Sequence, residues 1–286
     1  MPTTPAAIVL SHFQTRNLHS AFATGQRTAH LSPDLGLSTI EAALTPAGVV
    51  LPGEILIAWA TVREIDEATN NCFAFEPDGA IRKLVLFSES SNRSVSLYPT
   101  ASAPTMLLGG IPMHRIKDTD PLADTREKIK AARPVTGQVL DTHTGLGYTA
   151  IESARTADHV LTIEIDPTVL EIAAENPWSR ALFTTPAITQ RLGDCFDVVQ
   201  ELPDAAFDRV IHDPPAFSLA GHVYSRDFYE ELHRVLRRRG RLFHYIGNPD
   251  SPSGRSVTQG VVRRLKEAGF SRVEPAPRAF GVVVWK

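Results

Sequence analysis

The chain has 286 residues, with 29 Lys and Arg against 32 Asp and Glu, and a formal net charge of −3 at pH 7. Hydrophobic residues make up 43% of it and charged residues 21%, a mix that excludes a disordered or fibrous protein. This length predicts about two domains, or one large α/β domain. The mild acidity excludes a surface coated with positive charge but allows a local basic groove.

Cysteine content and apolar runs exclude several further classes of protein. Cys72 and Cys195 are too few for a disulfide framework and lack the paired spacing of a zinc site, so we expect no metal. No apolar run approaches the roughly 18 residues that span a bilayer, and the N-terminus has no basic region of the kind that opens a signal peptide. We therefore expect a soluble cytoplasmic protein without membrane association. The oligomeric state stays open.

The first part of the chain, residues 1–118, is predicted to be a small β-rich domain. AGVVLPGEILIAWATVREI predicts a strand, a Pro-Gly turn and a second strand, and NRSVSLYPT predicts a further strand. The Pro-Asp-Gly tripeptide at 77–79 predicts the turn of a hairpin. A polar connector is predicted at 119–136, with one short helix around Asp124–Ala132.

Residues 137–286 are predicted to form a second domain in which strands alternate with helices. Strands are predicted for GQVLD, HVLTIEID, ITQRLGD, FDRVIHD, GRLFHYIGN, SRVEPA and AFGVVVWK. Helices are predicted for GYTAIESA, PTVLEIAAE, SVTQGVVRRLKEAGF and RDFYEELHRVLRRRG, the last ending at Gly240. This alternation implies parallel βαβ units with right-handed crossovers, and therefore an α/β fold.

The strongest local signal is VLDTHTGLGYTA at residues 139–150. A buried strand ends at Asp141, a turn containing Gly145 and Gly147 follows, and a helix begins. Glycines at such a turn let the backbone bend sharply and approach a ligand closely. The turn also fits G-x-G-x-x-A, the dinucleotide fingerprint, although a plain strand-to-helix turn fits it as well.

Three carboxylates at successive strand ends indicate which ligand this turn binds. Asp141 repels phosphates but accepts a hydrogen bond from an ammonium group, which favours an amino-acid tail over a dinucleotide. Glu164 ends the second strand, where an acidic side chain holds ribose hydroxyls. Asp194 follows the third strand, where it accepts from an adenine amino group with Ile165 or Phe196 beside the ring, or serves as an ordinary helix N-cap. Together they favour a ligand with adenosine and an amino-acid tail.

With these features in this order, residues 137–247 resemble the methyltransferase domain of the seven-stranded Rossmann-like type, which uses S-adenosyl-L-methionine (AdoMet). The resemblance implies a mostly parallel sheet with an antiparallel last strand, and AdoMet as the cofactor. The cofactor contacts that it implies are Asp141, Thr142, His143, Gly145, Gly147, Glu164, Ile165, Asp194 and Cys195. His143 departs from the pattern, since the commonest loop has a glycine there.

Two other segments, GIPMHRIKDTDPLADTREKI and NPWSRALF, are similar to one subgroup of these enzymes, best known from archaea. Its members are described as predicted methyltransferases, sometimes with a spermidine-synthase-like label, and they carry a small β-rich N-terminal domain. The resemblance then covers most of the chain.

The fourth predicted strand ends in DPPAF at residues 213–217, which resembles the (D/N)-P-P-(Y/F/W) motif with one residue inserted. The motif belongs to methyltransferases that act on exocyclic amines of nucleic-acid bases, and it implies Asp213, Pro214, Pro215 and Phe217 as catalytic residues. An aromatic amine is a poor nucleophile, so a carboxylate and a backbone carbonyl must accept its N–H bonds and direct its lone pair. The prolines fix φ, and Phe217 would stack on the base.

The sequence thus predicts an AdoMet-dependent N-methyltransferase that acts on a base amine in rRNA or tRNA. An aminopropyltransferase of the spermidine-synthase type is the first alternative, suggested by TIEIDPTVLEIA. In those enzymes the corresponding loop resembles G-G-G-D-G and leaves room for decarboxylated AdoMet, whereas Asp141 suits the intact amino-acid group. An NAD-dependent oxidoreductase, which Asp141 disfavours, and a non-catalytic AdoMet-binding module also stay open. DNA, protein and small amines are further acceptors that the sequence allows.

Overall fold

The computed structural model describes residues 8–76, 80–217, 220–248 and 251–286. The chain divides into two compact units, Met1–Pro121 with Glu171–Arg180, and Leu122–Leu170 with Ala181–Lys286. The hairpin turn predicted at 77–79 lies outside the described residues.

The N-terminal part of the chain forms small antiparallel sheets. Its elements are β1 (Val9–Leu10), α1 (His12–Thr15), α2 (Leu18–Ala23), β2 (Thr28–Leu31), β3 (Ile40–Thr45), β4 (Gly48–Leu51), β5 (Ile55–Ala58), α3 (Trp59–Glu67), β6 (Phe73–Phe75), β7 (Ile81–Lys83), β8 (Val85–Ser88), β9 (Arg93–Tyr98), β10 (Thr105–Leu108) and β11 (Ile111–Pro112). The strand orders are β1-β6-β7, β2-β3-β4-β5 and β11-β10-β9-β8.

The strands predicted around the Pro-Gly turn are β4 and β5, and the strand predicted for NRSVSLYPT is β9. The second of these strands is shorter than predicted, because WATVREI belongs to helix α3. Val62 and Ile65 lie one helical turn apart on α3 and pack in one core with Leu44, Val49 and Ile57 of the sheet. The segment forms a helix because burial of this apolar face outweighs the strand preference of its β-branched residues.

The C-terminal part alternates helices and strands. Its elements are α4 (Pro121–Ala132), β12 (Gln138–Asp141), α5 (Tyr148–Ser153), β13 (His159–Glu164), α6 (Pro167–Glu175), α7 (Arg180–Thr184), β14 (Ile188–Leu192), α8 (Cys195–Gln200), β15 (Phe207–His212), α9 (Arg226–Val235), β16 (Leu236–Tyr245), α10 (Pro252–Glu267), β17 (Arg272–Ala276) and β18 (Gly281–Trp285). Short 3₁₀ turns lie at Pro177–Ser179, Gly221–Tyr224 and Pro277–Ala279.

Seven of these strands form one sheet in the order β14-β13-β12-β15-β16-β18-β17. The first five run parallel, and β18 runs antiparallel to both of its neighbours. This confirms the predicted α/β fold class. The carboxyl ends of β12, β13, β14 and β15 meet at one edge of the sheet, and there the order reverses between β12 and β15, as it does where such folds bind ligands.

The helix predicted to end at Gly240 instead ends at Val235, and the arginine-rich run that follows is the start of β16. Leu236 is fully buried and pairs with Phe207, so strand pairing overrides the high helix propensity of Arg and Leu. Because β15 and β16 are parallel, Arg237 lies at the edge of the sheet opposite to the one where β15 ends. Its guanidinium is bound there by Asp208 at 2.6 Å.

Within the described ranges, no helix has the length and apolar character that crossing a bilayer requires. The same residues contain no cluster of three or more His, Cys, Asp or Glu arranged to hold a metal ion.

Candidate active site

The turn after β12 depends on its glycines. Gly145 and Gly147 have φ values of 52° and 77°, in the left-handed region that side chains disfavour. A Cβ atom on Gly147 would also come within 2.7 Å of the Leu182 side chain. The turn therefore brings the N-terminus of α5 close to the end of β12 only because these positions lack side chains.

Asp141 ends β12 and is fully buried. Its Oδ2 atom accepts hydrogen bonds from Thr149 at 3.0 Å and Thr162 at 3.1 Å. Its Oδ1 atom is buried and accepts no hydrogen bond of standard geometry from the described residues. Burial raises the pKa of this carboxyl to about 8, against the opposing effects of both threonines and the His143 amide. A cationic donor at Oδ1 would satisfy the oxygen and restore its charge.

Glu164 ties the turn to the end of β13. Its Oε2 atom accepts from the amide of Gly145 at 2.9 Å, and its Oε1 atom accepts from the amide of Asp166 at 3.1 Å. Burial raises the pKa of Glu164 to about 7. Each carboxylate oxygen has a second lone pair, so the two amides leave room for hydroxyl donors.

Asp194 caps helix α8, the alternative role that the sequence leaves open for it. Its Oδ1 atom accepts from the Phe196 amide at 2.9 Å, and its Oδ2 atom lies 3.3 Å from Nε2 of His222. Ile165, which follows β13 along the same edge, is 55% exposed. Such an exposed apolar side chain beside two carboxylates suits the face of a heterocyclic ring.

Thr142, His143 and Cys195 belong to a buried hydrogen-bonded chain behind the turn. The carbonyl of Val223 can only accept, so His212 donates to it from Nε2 (3.1 Å) and accepts at Nδ1 from the Thr142 hydroxyl (2.8 Å). The Thr142 oxygen then accepts from Nδ1 of His143 (2.8 Å), which leaves Nε2 of His143 to face the Cys195 thiol at 3.7 Å. Burial lowers the pKa of His143 to about 3, so the chain is neutral.

Asp213 directly follows β15 and is held by a lysine that the sequence analysis did not single out. Its Oδ2 atom lies 2.7 Å from Nζ of Lys128, and the same nitrogen lies 2.9 Å from Oδ2 of Asp124. The ammonium also lies 4.6 Å from the centre of the Tyr245 ring. Burial by itself lowers the pKa of Lys128, but Asp213 and Asp124 outweigh burial and raise it above its usual value.

The rest of the DPPAF motif forms a supported loop. Pro214 is buried, and the carbonyl oxygen of Pro215 accepts a hydrogen bond of 2.9 Å from the Tyr224 hydroxyl. The ring of Phe217 packs edge-on against the Tyr224 ring, with 5.3 Å between the centres, and stays 47% exposed. Phe217 thus keeps part of its aromatic surface exposed.

Asp141 and Asp213 stand on neighbouring strands. Asp141 pairs with Ile211 in the β12–β15 ladder, two residues before Asp213, and the charge of Asp213 contributes to the raised pKa of Asp141. The edge therefore places a buried carboxyl with an unpaired oxygen beside a carboxylate that is paired with an ammonium.

Comparison with known proteins agrees with this fold. Residues 140–244 match the family described as "Methyltransferase domain". The chain is 48% identical over 214 residues to an uncharacterized protein of Methanocaldococcus jannaschii, an alignment covering 74% of this chain and 73% of that protein. The chain belongs to one family with this archaeal protein, and residues 140–244 carry the methyltransferase domain. The predicted resemblance is confirmed.

Solved structures share the fold of this chain. A crystal structure of spermidine synthase in complex with the transition state analogue AdoDATO matches with a TM-score of 0.59 and 17% identity, over 74% of this chain and 78% of that one. Spermidine synthase from Thermotoga maritima matches with a TM-score of 0.56 and 16% identity, over 74% of this chain and 77% of that one. A probable spermidine synthase from Corynebacterium glutamicum matches with a TM-score of 0.51 and 15% identity, over 70% of this chain and 78% of that one. At these identities the likeness shows the fold alone.

Three residues of the candidate site were not predicted from the sequence: Lys128, His222 and Tyr224. Lys128 lies 85 residues before Asp213, in a helix whose TREKIK pattern is typical of an exposed surface. The signal that was available is the i, i+4 spacing of Asp124 and Lys128, which places an ion pair on one helix face. His222 and Tyr224 fall in a stretch without a predicted element.

Proposed function

We propose that the protein is an AdoMet-dependent N-methyltransferase that methylates an exocyclic amino group of a base in rRNA or tRNA. The proposal rests above all on one observation: the unpaired buried oxygen of Asp141 and the ammonium-bound carboxylate of Asp213 end adjacent parallel strands. One acid is suited to the cofactor and the other to the acceptor. An inline approach between them needs no further catalytic group, because the methyl donor carries its own activation.

The residues of the cofactor half fit AdoMet part by part. The ammonium group would satisfy Oδ1 of Asp141, and the ribose hydroxyls would donate to the free lone pairs of Glu164. The adenine ring would lie against Ile165, with its amino group directed to Asp194. Bound AdoMet supplies a methyl group on a positively charged sulfur. Thr142, His143 and Cys195 act through the turn, because their hydrogen-bonded chain makes its backbone rigid.

The acceptor half suits a planar amine. Asp213 accepts one N–H bond of the amine, and a proline carbonyl of the motif accepts the other, which turns the nitrogen lone pair toward the cofactor. Phe217 offers its exposed ring for stacking, a contact of about 1–3 kcal/mol per base. A base within a duplex would have to be flipped out or unpaired to reach this edge.

The second candidate function is aminopropyl transfer in polyamine synthesis. It is favoured by the structures of similar fold, whose titles name spermidine synthase. The two functions use different donors: aminopropyl transfer requires decarboxylated AdoMet, whereas methyl transfer requires AdoMet itself. The donor that is consumed therefore separates them.

The test is incubation of the purified protein with AdoMet carrying a trideuterated methyl group and RNA from a strain that lacks the gene. Digestion and nucleoside mass spectrometry should find deuterium on a nucleobase nitrogen, and the Asp213→Ala variant should transfer none while it still binds S-adenosylhomocysteine. A parallel reaction contains decarboxylated AdoMet and putrescine. Spermidine formation there, with no labelled nucleoside, would replace the proposal by the second candidate.

A further inference from the structure

Lys128 is a buried cation that lies outside the segment matched by the methyltransferase domain family. It belongs to α4, before residues 140–244, and is only 1% exposed. Its ammonium contacts Asp213 at 2.7 Å, Asp124 at 2.9 Å and the face of the Tyr245 ring at 4.6 Å. The contact with Asp213 places this ammonium beside the carboxylate of the DPPAF motif.

Stability does not explain such a group. A buried ion pair is costly to desolvate and is often replaced by apolar residues without loss of stability. Here one buried ammonium contacts two carboxylates, Asp124 at 2.9 Å and Asp213 at 2.7 Å. An arrangement of this cost next to the motif carboxylate indicates a function of the charge itself.

We propose that Lys128 is a positioning residue that keeps Asp213 ionised as a hydrogen-bond acceptor, and that it thereby restricts the acceptor to amines that are neutral at the working pH. The inference deepens the proposed function and rests on it. Asp124, one helical turn before Lys128 on α4, contacts the same ammonium at 2.9 Å and helps to keep it in place.

The restriction follows from proton affinity. A carboxylate bound by an ammonium is a weak base, whereas a general base works best when its proton affinity matches the operating pH. An alkylammonium, with a pKa of about 10 as in lysine, must lose a proton before it can attack, and the paired Asp213 is a poor acceptor for it. An aromatic exocyclic amine is already neutral and needs only hydrogen-bond acceptors.

The transfer balances without a base. The nitrogen lone pair forms the N–CH₃ bond, and the electrons of the S–CH₃ bond remain on sulfur, which becomes a neutral thioether. The methylated aryl nitrogen is then a strongly acidic cation and releases its proton to water. Asp213 stays ionised throughout.

Four variants separate this role from a structural one. Lys128→Met removes the cation, and Lys128→Arg restores a cation at the same place. Lys130→Met is the matched control, because Lys130 lies on the same helix with its side chain 58% exposed. The double variant Asp124→Asn/Lys128→Met removes one charge of each sign, so it tests the loss of the ammonium even if the single variant does not fold.

The first measurement needs no substrate. The Asp213 carboxyl carbon is followed by NMR against pH in carbon-13-labelled protein, with Asp213→Asn for assignment. We expect its titration midpoint to rise by at least about one pH unit in Lys128→Met and in the double variant, and to stay in place in Lys130→Met. In Lys128→Arg the midpoint should lie close to that of the unchanged protein, because the cation is restored. An unchanged midpoint in both variants that lack Lys128 overturns the inference.

The second measurement compares acceptors. The rate of methyl transfer from AdoMet to RNA of the deletion strain is measured against pH. In Lys128→Met the pH at which this rate falls on the acidic side should be at least about one unit higher than in the unchanged protein. Putrescine should accept no methyl group between pH 6 and pH 8. Efficient transfer to putrescine there contradicts the restriction but leaves the methyltransferase standing, whereas failure to bind S-adenosylhomocysteine contradicts the proposed function itself.

Discussion

The hydroxyl of Tyr224 donates a hydrogen bond of 2.9 Å to the carbonyl oxygen of Pro215. Tyr224 is itself almost fully buried, at 1% exposure, and packs in the core with Phe228 and Tyr229. The loop that carries the motif is therefore held to the interior nine residues further along the chain. Its orientation at the edge of the sheet depends on the core rather than on the two prolines alone.

We expect Tyr224→Phe to slow methyl transfer about tenfold or more while leaving the Kd for S-adenosylhomocysteine within about twofold, because only the motif loop loses a contact. Tyr229→Phe is the control: it also removes a buried hydroxyl, which pairs with His244 at 2.8 Å, away from the loop. Both variants should lose about 1 kcal/mol of stability. Equal loss of turnover in the two variants would contradict a specific role for Tyr224.

Asp141→Asn removes the carboxylate that we propose as the partner of the cofactor ammonium. Isothermal titration calorimetry should show S-adenosylhomocysteine binding weakened about 10- to 100-fold, the usual value of a hydrogen bond between charged groups. Asp197→Asn, an exposed aspartate in the first turn of α8, should bind as the unchanged protein does. Unweakened binding by Asp141→Asn would place the amino-acid tail elsewhere.

Ligand binding should release protons. Burial raises the pKa of Asp141 to about 8, so at pH 7 this carboxyl is mostly protonated in the ligand-free protein. An ammonium at Oδ1 favours the ionised form, and the proton must leave on binding. Calorimetry at pH 7 in buffers of different ionisation enthalpy should report release approaching one proton per S-adenosylhomocysteine, and affinity should rise from pH 6 to pH 8. Proton uptake would contradict this account.

The stability of the ligand-free protein should fall between pH 6.5 and pH 8. Burial raises the pKa values of Asp141 and Glu164 to about 8 and about 7, so the folded state binds more protons here than the unfolded state, whose carboxyls ionise near pH 4. Each group then lowers the free energy of unfolding by at most about 1.4 kcal/mol per pH unit. The buried histidines act with the opposite sign but below pH 6.5, because their pKa values are lowered. Denaturant melts at several pH values measure the slope.

The same melts contain their own control. Asp141→Asn should flatten the decline, and saturating S-adenosylhomocysteine should do the same by pairing the ionised carboxyl. A steeper fall in Asp141→Asn than in the unchanged protein would show that other groups govern this range.

The sequence predicts the conformation of the turn after β12 well, because its signals are local. Asp141, Gly145 and Gly147 lie within seven residues, and each has a direct physical requirement: a strand end, a left-handed turn, and the absence of a Cβ next to Leu182. The alternation of strands and helices likewise predicts the parallel strands, which are the first five of the sheet.

The acceptor half is less predictable, because its supports come from distant positions. Nothing in TREKIK distinguishes the buried Lys128 from the exposed Lys130, and only the fold brings Asp213 to the former. The arginine run after α9 was predicted as helix from its local preference, and that prediction is wrong. The run forms a strand because Leu236 pairs with Phe207. Sequence patterns thus indicated which residues are chemically suited, but not which partners hold them.

We propose that Asp213 directs a base nitrogen to the methyl group of AdoMet. The most direct test of this claim is a mass-spectrometric census of methylated nucleosides in rRNA and tRNA from three strains: with the gene, without it, and with Asp213→Ala. We predict that one N-methylated nucleoside disappears from the second and third strains. Identical nucleoside profiles in all three strains would contradict the claim.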